Sequence, residues 1–341
     1  MAQVGELFLI ALLFFTLVFV LNWIRLRRQV RPFRKYGLAV GTVLILFEIV
    51  SVVLFFESLR GVSLFSILLA DGWTFIRLAA FTIVGTYYAW QSGHLAFPLL
   101  MRRFPVTPAA QSAAGSASPA ASTAPLQPPP NGPPSLAGVN LTPPAVGEAT
   151  PGTIRLDDQS PLPARENAAA TLPVMEMPSR PSVTPPQALG ATLIVVAGAL
   201  LYTVVLFTVT TPRLSQIVRS LTDFDTAQLG LGSTVTLATL LLVLQVGFAE
   251  EIIFRLGIQN FLAVHFKWQG QRFRIAIAAT AALWAMGHSG MLDPDWVKLA
   301  QIFPVGLALG WLYDRFGIES AILAHGLFNV AGLILTPSLI S

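Results

Sequence analysis

Long apolar stretches recur along this 341-residue chain and constrain its fold more than any other feature. Hydrophobic residues make up 54% of the sequence and charged residues only 11%, whereas an ordinary soluble domain contains about 25% charged residues. A stretch of roughly 20 apolar residues is long enough to cross a bilayer as an α-helix. We therefore predict an all-α fold, that of a polytopic membrane protein.

Eight stretches have the length and apolar character of spanning helices. They are Leu7–Ile24, Gly37–Phe56, Leu78–Leu100, Ala188–Val209, Val235–Val264, Ile275–Met291, Val297–Tyr313 and Ile318–Leu335. A shorter apolar piece, Val62–Ala70, cannot span and is expected to be re-entrant or interfacial. The sequence thus predicts about eight transmembrane helices.

A change in composition divides the chain into three regions. Between residues 104 and 186 the sequence is rich in Pro, Ala and Ser, includes the run Pro128–Pro130 and has few large apolar residues. Such a segment cannot build a hydrophobic core, so we predict a disordered linker. It separates a three-helix membrane region, residues 1–103, from a five-helix core, residues 187–341.

Basic residues cluster in short loops beside the apolar stretches. The first loop carries Arg25, Arg27, Arg28, Arg31, Arg34 and Lys35, and Arg102 and Arg103 follow the third stretch. This is the pattern of cytoplasmic loops, which would leave the N-terminus outside. The basic residues behind the net charge of +4 are therefore explained by loops that flank helices in the lipid bilayer, which is the predicted partner. No nucleic-acid partner is predicted.

Two adjacent carboxylates, Glu250 and Glu251, interrupt one apolar stretch, and Arg255 follows them. Charged side chains inside a bilayer are costly, and they usually mark a functional site or an ion path. On a helix Glu251 and Arg255 are i,i+4 neighbours, which is the spacing of an ion pair. We expect Glu250 to point elsewhere and to be free for chemistry.

Three more polar side chains occur in later apolar stretches, at His288, His325 and Asn329. A carboxylate and an imidazole can take a proton from water, while a second imidazole and an amide can donate hydrogen bonds to an oxyanion. A metal site is the competing interpretation, but the His-Glu-x-x-His spacing is missing. Because cysteine is absent and no Ser or Thr lies in a nucleophile motif, water is the expected nucleophile.

Together the motifs Glu250-Glu251-x-x-x-Arg255, Trp284-x-x-x-His288 and His325-x-x-x-Asn329 resemble those of the CAAX-protease and bacteriocin-processing (CPBP, or Abi) family of intramembrane proteases. The resemblance covers about Ala188 to Leu335. The family usually has Phe where this chain has Trp284, and the other motif positions match.

The resemblance implies a glutamate-type intramembrane endopeptidase without cofactor or metal. Glu250 and His288 would activate water, His325 and Asn329 would form the oxyanion hole, and Glu251 and Arg255 would support the site. The implied substrate is a membrane protein or a lipidated peptide, with prenylated CAAX proteins as one class. A multi-pass protein of a bacterial cell membrane is the expected setting.

Two alternatives remain open at the level of sequence. The first is a non-catalytic membrane adaptor or immunity protein of the same fold. The second is a proton-coupled transporter, since intramembrane Glu and His also serve in proton relays, although no pair of corresponding broken helices is evident. His94, which follows an aromatic run, is expected to lie at the membrane interface without a function.

Overall fold

The computed structural model describes residues 2–55, 64–94, 96–98, 184–216 and 237–340. All of them fall within one compact unit, formed by Met1–Val106 together with Met177–Ser341. The helices are α1 (Ala2–Arg25), α2 (Arg34–Phe55), α3 (Leu64–Gln91), α4 (Pro185–Thr210), α5 (Leu237–Glu251), a π-helix (Ile252–Gln259), α6 (Asn260–His265), α7 (Phe273–Met286), α8 (Asp295–Phe316) and α9 (Ile318–Leu339). Two short strands, β1 (Arg213–Leu214) and β2 (Leu292–Asp293), pair in antiparallel fashion.

The helical fold class is confirmed, whereas the count of eight spans stays a prediction. Within the described residues, four segments are long and apolar enough to cross a membrane. They are Leu7–Arg25, Pro185–Thr210, Asp295–Phe316 and Ile318–Leu335. The predicted linker, residues 104–186, lies almost wholly outside the described residues, so the predicted division into three regions also stays a prediction.

Helix α3 differs from the sequence-based prediction at both ends. It begins at Leu64, so most of the predicted re-entrant piece Val62–Ala70 belongs to this helix. It ends at Gln91 and not near Leu100, because Gly93 adopts a left-handed conformation with φ of +78°. The N–H of His94 then donates to the carbonyl of Ala89 at 2.7 Å, which is the hydrogen bond that closes a Schellman C-cap.

His94 is buried rather than interfacial, contrary to the expectation from the sequence. Its Nε2 lies 2.8 Å from Asp314 Oδ1, and its ring stacks on Phe273 with centroids 4.0 Å apart. The contacts join the end of α3 to α7 and α8. The N-terminal helices are therefore packed directly onto the core helices.

The central element of the core is the continuous helical segment from α5 through the π-helix to α6. All eight residues of the π-helix are buried, and α3 and α7 pack against it. The wider π turns leave carbonyl groups to be satisfied, and the Asn260 side-chain amide donates to the carbonyls of Arg255 and Leu256 at 3.1 and 2.8 Å. Single π segments in α-helices occur frequently at functional sites. Here the π-helix directly follows the two glutamates.

Helices α4 and α8 lie side by side, and a proline explains one contact between them. Pro304 lies inside α8 and has no N–H to donate to the carbonyl four residues earlier, that of Ala300. The Tyr202 hydroxyl of α4 donates to this carbonyl at 2.9 Å. A cavity of about 260 Å³ lies next to this contact, between the same two helices.

Helix α7 ends earlier than predicted. It stops at Met286, and the turn that follows contains His288, so this residue does not lie in a helix. The carboxylate of Asp295 holds the turn by accepting from the Ser289 hydroxyl at 2.7 Å and from the Gly290 N–H. The β1–β2 pairing then ties the segment after this turn to the segment after α4.

A close approach between α3 and the π-helix generates a prediction about stability. A Cβ added at Gly85 would lie 2.7 Å from the backbone oxygen of Leu256, whereas one at Gly198 would meet no atom within 4 Å. We expect Gly85→Ala to destabilise the protein by about 1–3 kcal/mol through overpacking. Gly198→Ala should be neutral or slightly stabilising, since Ala favours helices. Thermal unfolding in detergent would measure both; equal midpoints would contradict the packing described.

Candidate active site

Glu250 and Glu251 are adjacent in sequence but lie in different environments. Glu251 is fully buried, whereas the Glu250 side chain is 24% exposed. Because the two follow each other at the end of α5, their side chains leave the helix about 100° apart. One carboxylate is thereby enclosed by protein while the other reaches a partly open space.

Glu251 joins Arg255 to His325. Its Oε2 lies 3.4 Å from Arg255 Nε, which is the i,i+4 contact predicted from the sequence. Its Oε1 lies 2.8 Å from His325 Nδ1. The imidazole N–H donates to the carboxylate, and this hydrogen bond holds the ring of His325 in place. Arg255 also donates from its terminal nitrogen to the carbonyl of Gly306 on α8 at 3.3 Å.

Glu250 accepts a hydrogen bond from an indole. The Trp284 Nε1–H donates to Glu250 Oε2 at 2.7 Å, and His325 Nε2 lies 3.7 Å from the same oxygen. Among the described residues no hydrogen-bond donor meets Glu250 Oε1. One oxygen of Glu250 is thus anchored, while the other is available to a molecule in the site.

The ring of Trp284 also contacts His288, His325 and Arg255. It makes edge contacts with the rings of His288 and His325, with centroids 5.0 and 5.2 Å apart. The Arg255 guanidinium lies over its face at 4.6 Å, in cation–π geometry. Trp284 is 1% exposed, so these polar side chains pack against a buried aromatic ring.

The histidine in the turn after α7 has a defined tautomer. His288 Nδ1 lies 2.9 Å from the carbonyl oxygen of Trp284. A carbonyl only accepts, so Nδ1 carries the proton and the neutral ring has its lone pair on Nε2. Within the described part of the chain Nε2 has no hydrogen-bond partner, and the residue is half-buried. His288 is therefore able to take a proton from a bound molecule.

Asn329 lies one helical turn after His325 on α9. Its amide donates to the carbonyl of Val243 at 3.2 Å, which leaves one amide proton for another acceptor. Gly247 of α5 faces both residues: a Cβ there would lie 3.2 Å from Asn329 Nδ2 and 3.4 Å from the His325 ring. The glycine thus keeps open the space beside these two side chains.

Lys298 is a further charged residue that was not singled out from the sequence. It lies in the first turns of α8, it is only partly exposed, and its Nζ donates to Gln301 Oε1 at 3.0 Å. The signal was present in the sequence, since Lys298 begins an apolar stretch and charges in such stretches usually have a role.

The structure brings together all six residues singled out from the sequence. Glu250, Glu251 and Arg255 come from the helical segment that begins with α5, His288 follows α7, and His325 and Asn329 come from α9. Among the described residues no group of three or more His, Asp or Glu side chains is arranged to hold a metal ion. Carboxylate and imidazole groups that lie together can take up and release protons.

Comparison with known proteins identifies one segment of the chain. Residues 232–331 match the family described as type II CAAX prenyl endopeptidase Rce1-like. This segment is an Rce1-like domain. It contains all six residues that were singled out, and the family resemblance predicted from the motifs is confirmed.

One curated relative of the Rce1-like domain comes from a bacterium. The sporulation-killing factor biosynthesis protein SkfC of Bacillus subtilis (strain 168) is 30% identical over 88 residues. The match spans 26% of this chain and 17% of SkfC, so the chain covers much less than the full length of this relative. No solved structure matches the chain. The Rce1-like segment and the four apolar helices together indicate that this is an integral membrane protein.

The indole N–H of Trp284 leads to a prediction about stability. The CPBP family usually has Phe at this position, and Phe has no N–H to donate. Trp284→Phe would remove the donor to Glu250 while keeping an aromatic ring. Hydrogen bonds to charged groups contribute about 1.5–3 kcal/mol, and we expect a loss of stability in this range in thermal unfolding in detergent. Trp311→Phe is the matched control, since Trp311 is 44% exposed. Equal effects of the two substitutions would contradict the role of the indole N–H.

Proposed function

We propose that this protein is an intramembrane endopeptidase that hydrolyses a peptide bond with water activated by Glu250 and His288. The observation that carries the proposal is a pair of acceptor atoms beside Trp284, Glu250 Oε1 and His288 Nε2, that have no hydrogen-bond partner among the described residues. Each side chain is held by a hydrogen bond at its other polar atom. Two acceptors that share a site can orient one water molecule and take its proton. The match to an endopeptidase family supports the same reaction.

The reaction would begin with a water molecule bound between Glu250 and His288. One proton of the water passes to the Glu250 carboxylate or to His288 Nε2, and the oxygen attacks the carbonyl carbon of the peptide. The carbonyl becomes an oxyanion in a tetrahedral intermediate. When the carbon–nitrogen bond breaks, the stored proton passes to the leaving amine, so the catalytic groups return to their initial state.

His325 and Asn329 would stabilise the oxyanion. Asn329 has one amide proton left after its bond to Val243, and His325 presents Nε2 on the side of Glu250. Since His325 Nδ1 already donates to Glu251, donation from Nε2 requires the imidazolium form of the ring.

Glu251 and Arg255 would act through other residues and not on the substrate. Glu251 is fully buried and fixes the ring of His325, while Arg255 pairs with Glu251 and contacts α8. Similar groups commonly orient catalytic side chains and fix their protonation. No cofactor or metal enters the proposed reaction.

The proposed substrate is a membrane protein or a lipidated peptide. The apolar helices place the domain in a bilayer, and a membrane-associated substrate can reach such a site by lateral diffusion. Prenylated CAAX proteins are one substrate class, as the family description suggests. The peptide processing required for a bacteriocin-like factor is another, as the name of SkfC suggests. We propose that it is a multi-pass protein of a bacterial cell membrane.

Two histidines of this chain provide a matched test of the proposed base. His288 and His265 each contact the carbonyl four residues earlier through Nδ1, at 2.9 and 3.0 Å, but His265 is the exposed last residue of α6. We expect His288→Ala to lower kcat for peptide cleavage about 10²–10⁴-fold, as is typical for loss of a general base. His265→Ala should leave kcat unchanged.

Cleavage would be followed with quenched fluorescent peptides in liposomes, with thermal unfolding as a check that both variants are folded. Full activity of a folded His288→Ala variant would exclude His288 as the base. A biological phenotype that survives loss of cleavage would favour the adaptor or immunity role instead.

A further inference from the structure

We propose that one end of the molecule is a binding surface for the headgroups of anionic phospholipids. This surface, the basic face, consists of three segments that lie far apart in the sequence. They are the loop between α1 and α2 (residues 25–35), the hairpin between α6 and α7 (residues 266–274) and the junction of α8 and α9 (residues 314–319). The inference does not rest on the proposed hydrolysis, because none of these segments carries a proposed catalytic group.

The basic face carries ten exposed cations. The loop contributes six, the hairpin three and the junction one: Arg25, Arg27, Arg28, Arg31, Arg34, Lys35, Lys267, Arg272, Arg274 and Arg315. The loop and the hairpin contain no Asp or Glu, and the junction contains two, Asp314 and Glu319. The face therefore has a large excess of positive charge.

The C-terminal end of α3 and the turn after it bring the three segments together. Phe33 of the loop packs against Trp90, with ring centroids 6.3 Å apart. Phe273 of the hairpin stacks on the ring of His94, with centroids 4.0 Å apart. Asp314 of the junction lies 2.8 Å from Nε2 of the same histidine. Because all three segments contact residues 90–94, their cations lie on one surface.

Carboxylates of the protein leave most of this charge without a partner. Lys35 aside, none of the cations of the basic face forms a salt bridge within the described part of the chain. Like charges on one surface repel each other and attract anions from outside. Basic clusters next to a membrane helix attract anionic lipids in this way.

The depth of the basic face in the molecule matches that of lipid headgroups. Three of the segments that are long enough to cross a membrane begin or end at this face: Leu7–Arg25, Asp295–Phe316 and Ile318–Leu335. The apolar part of each helix would lie among acyl chains, so the cations at its end lie at the level of the phosphates. A phosphodiester group is therefore the anion nearest to them.

Exposed aromatic rings beside the cations favour a lipid over a soluble anion. Phe266 of the hairpin is 58% exposed and stacks on Trp268, with ring centroids 4.9 Å apart. Trp311, one helical turn before Arg315, is 44% exposed. Such rings are typical of the membrane–water interface. A phospholipid offers a phosphate to the cations and apolar chains to the rings.

Thermal unfolding of the full chain in an uncharged detergent tests the basic face without any need for catalysis. Phosphatidylglycerol would be added in one series, and phosphatidylcholine with the same acyl chains in the other. A ligand that binds the folded state raises the unfolding midpoint. We expect phosphatidylglycerol to raise it by about 2–4 °C more than phosphatidylcholine. This difference should shrink at about 1 M salt, which screens exposed charges.

One substitution in each segment separates the basic face from the net charge. Arg28→Gln, Arg272→Gln and Arg315→Gln should each reduce the extra shift caused by phosphatidylglycerol, and the triple variant should lose most of it. Arg213→Gln is the matched control and should retain the full shift. Arg213 is also exposed, but it lies on β1, which pairs with β2 beyond the other end of α7.

Four outcomes would overturn the inference. Equal shifts from the two lipids in the wild type would exclude a surface for anionic lipids, and this comparison requires no variant. An extra shift that survives in the triple variant would place the lipid elsewhere, and an equal loss in Arg213→Gln would assign the effect to net charge. An equal shift from glycerol phosphate would assign the cations to a soluble phosphate. Peptide cleavage measured in parallel would report failure of the proposed function separately, because the lipid-dependent shift does not require hydrolysis.

Discussion

Two carboxylates placed side by side in an apolar helix need partners from several other elements, and the rest of the site depends on this requirement. Arg255 reaches Glu251 from the same helical segment, His325 from α9, and Trp284 reaches Glu250 from α7. Breaking a buried charge pair by removing one partner commonly costs about 3–5 kcal/mol. The positions of these helices around the π-helix are thus fixed by electrostatics as well as by apolar packing.

The same requirement divides the work between the two glutamates. Glu251 is buried; one of its oxygens is hydrogen-bonded to His325 and the other is ion-paired with Arg255, so its environment suits it to hold other groups. Glu250 is partly exposed, and one of its oxygens lacks a partner among the described residues, so it is able to meet a substrate or water. Environments that differ in this way are how proteins assign different roles to identical side chains.

The local parts of this arrangement could be predicted from the sequence. The contact between Glu251 and Arg255 follows from i,i+4 spacing, and the pairing of His325 with Asn329 on one helix face follows from the same rule. Apolar length predicted the helices α1, α4, α8 and α9 to within a few residues. These features depend on neighbours within a single helix, which a sequence displays directly.

The remaining parts depend on contacts between distant segments and could not be predicted. Trp284 and Glu250 lie 34 residues apart, so helical spacing does not predict the hydrogen bond between them. The family motif is defined by an aromatic residue at this position, and it does not distinguish Trp from Phe. The turn that contains His288 is held more locally, by hydrogen bonds from Ser289 and Gly290 to Asp295, and helical spacing gives no sign of it. Lys298 was overlooked because its position at the start of an apolar stretch is also typical of a lysine at the membrane interface.

The central claim is that Glu250 activates water in a site without a metal. The most direct measurement compares the wild type with Glu250→Gln in liposomes on a quenched membrane-peptide library, with and without a chelator. The variant keeps the shape of the side chain and an acceptor for the Trp284 N–H but cannot take a proton. Cleavage by the wild type that resists the chelator and disappears in the variant is the predicted result. Cleavage that persists in Glu250→Gln, or that the chelator abolishes, would contradict the claim.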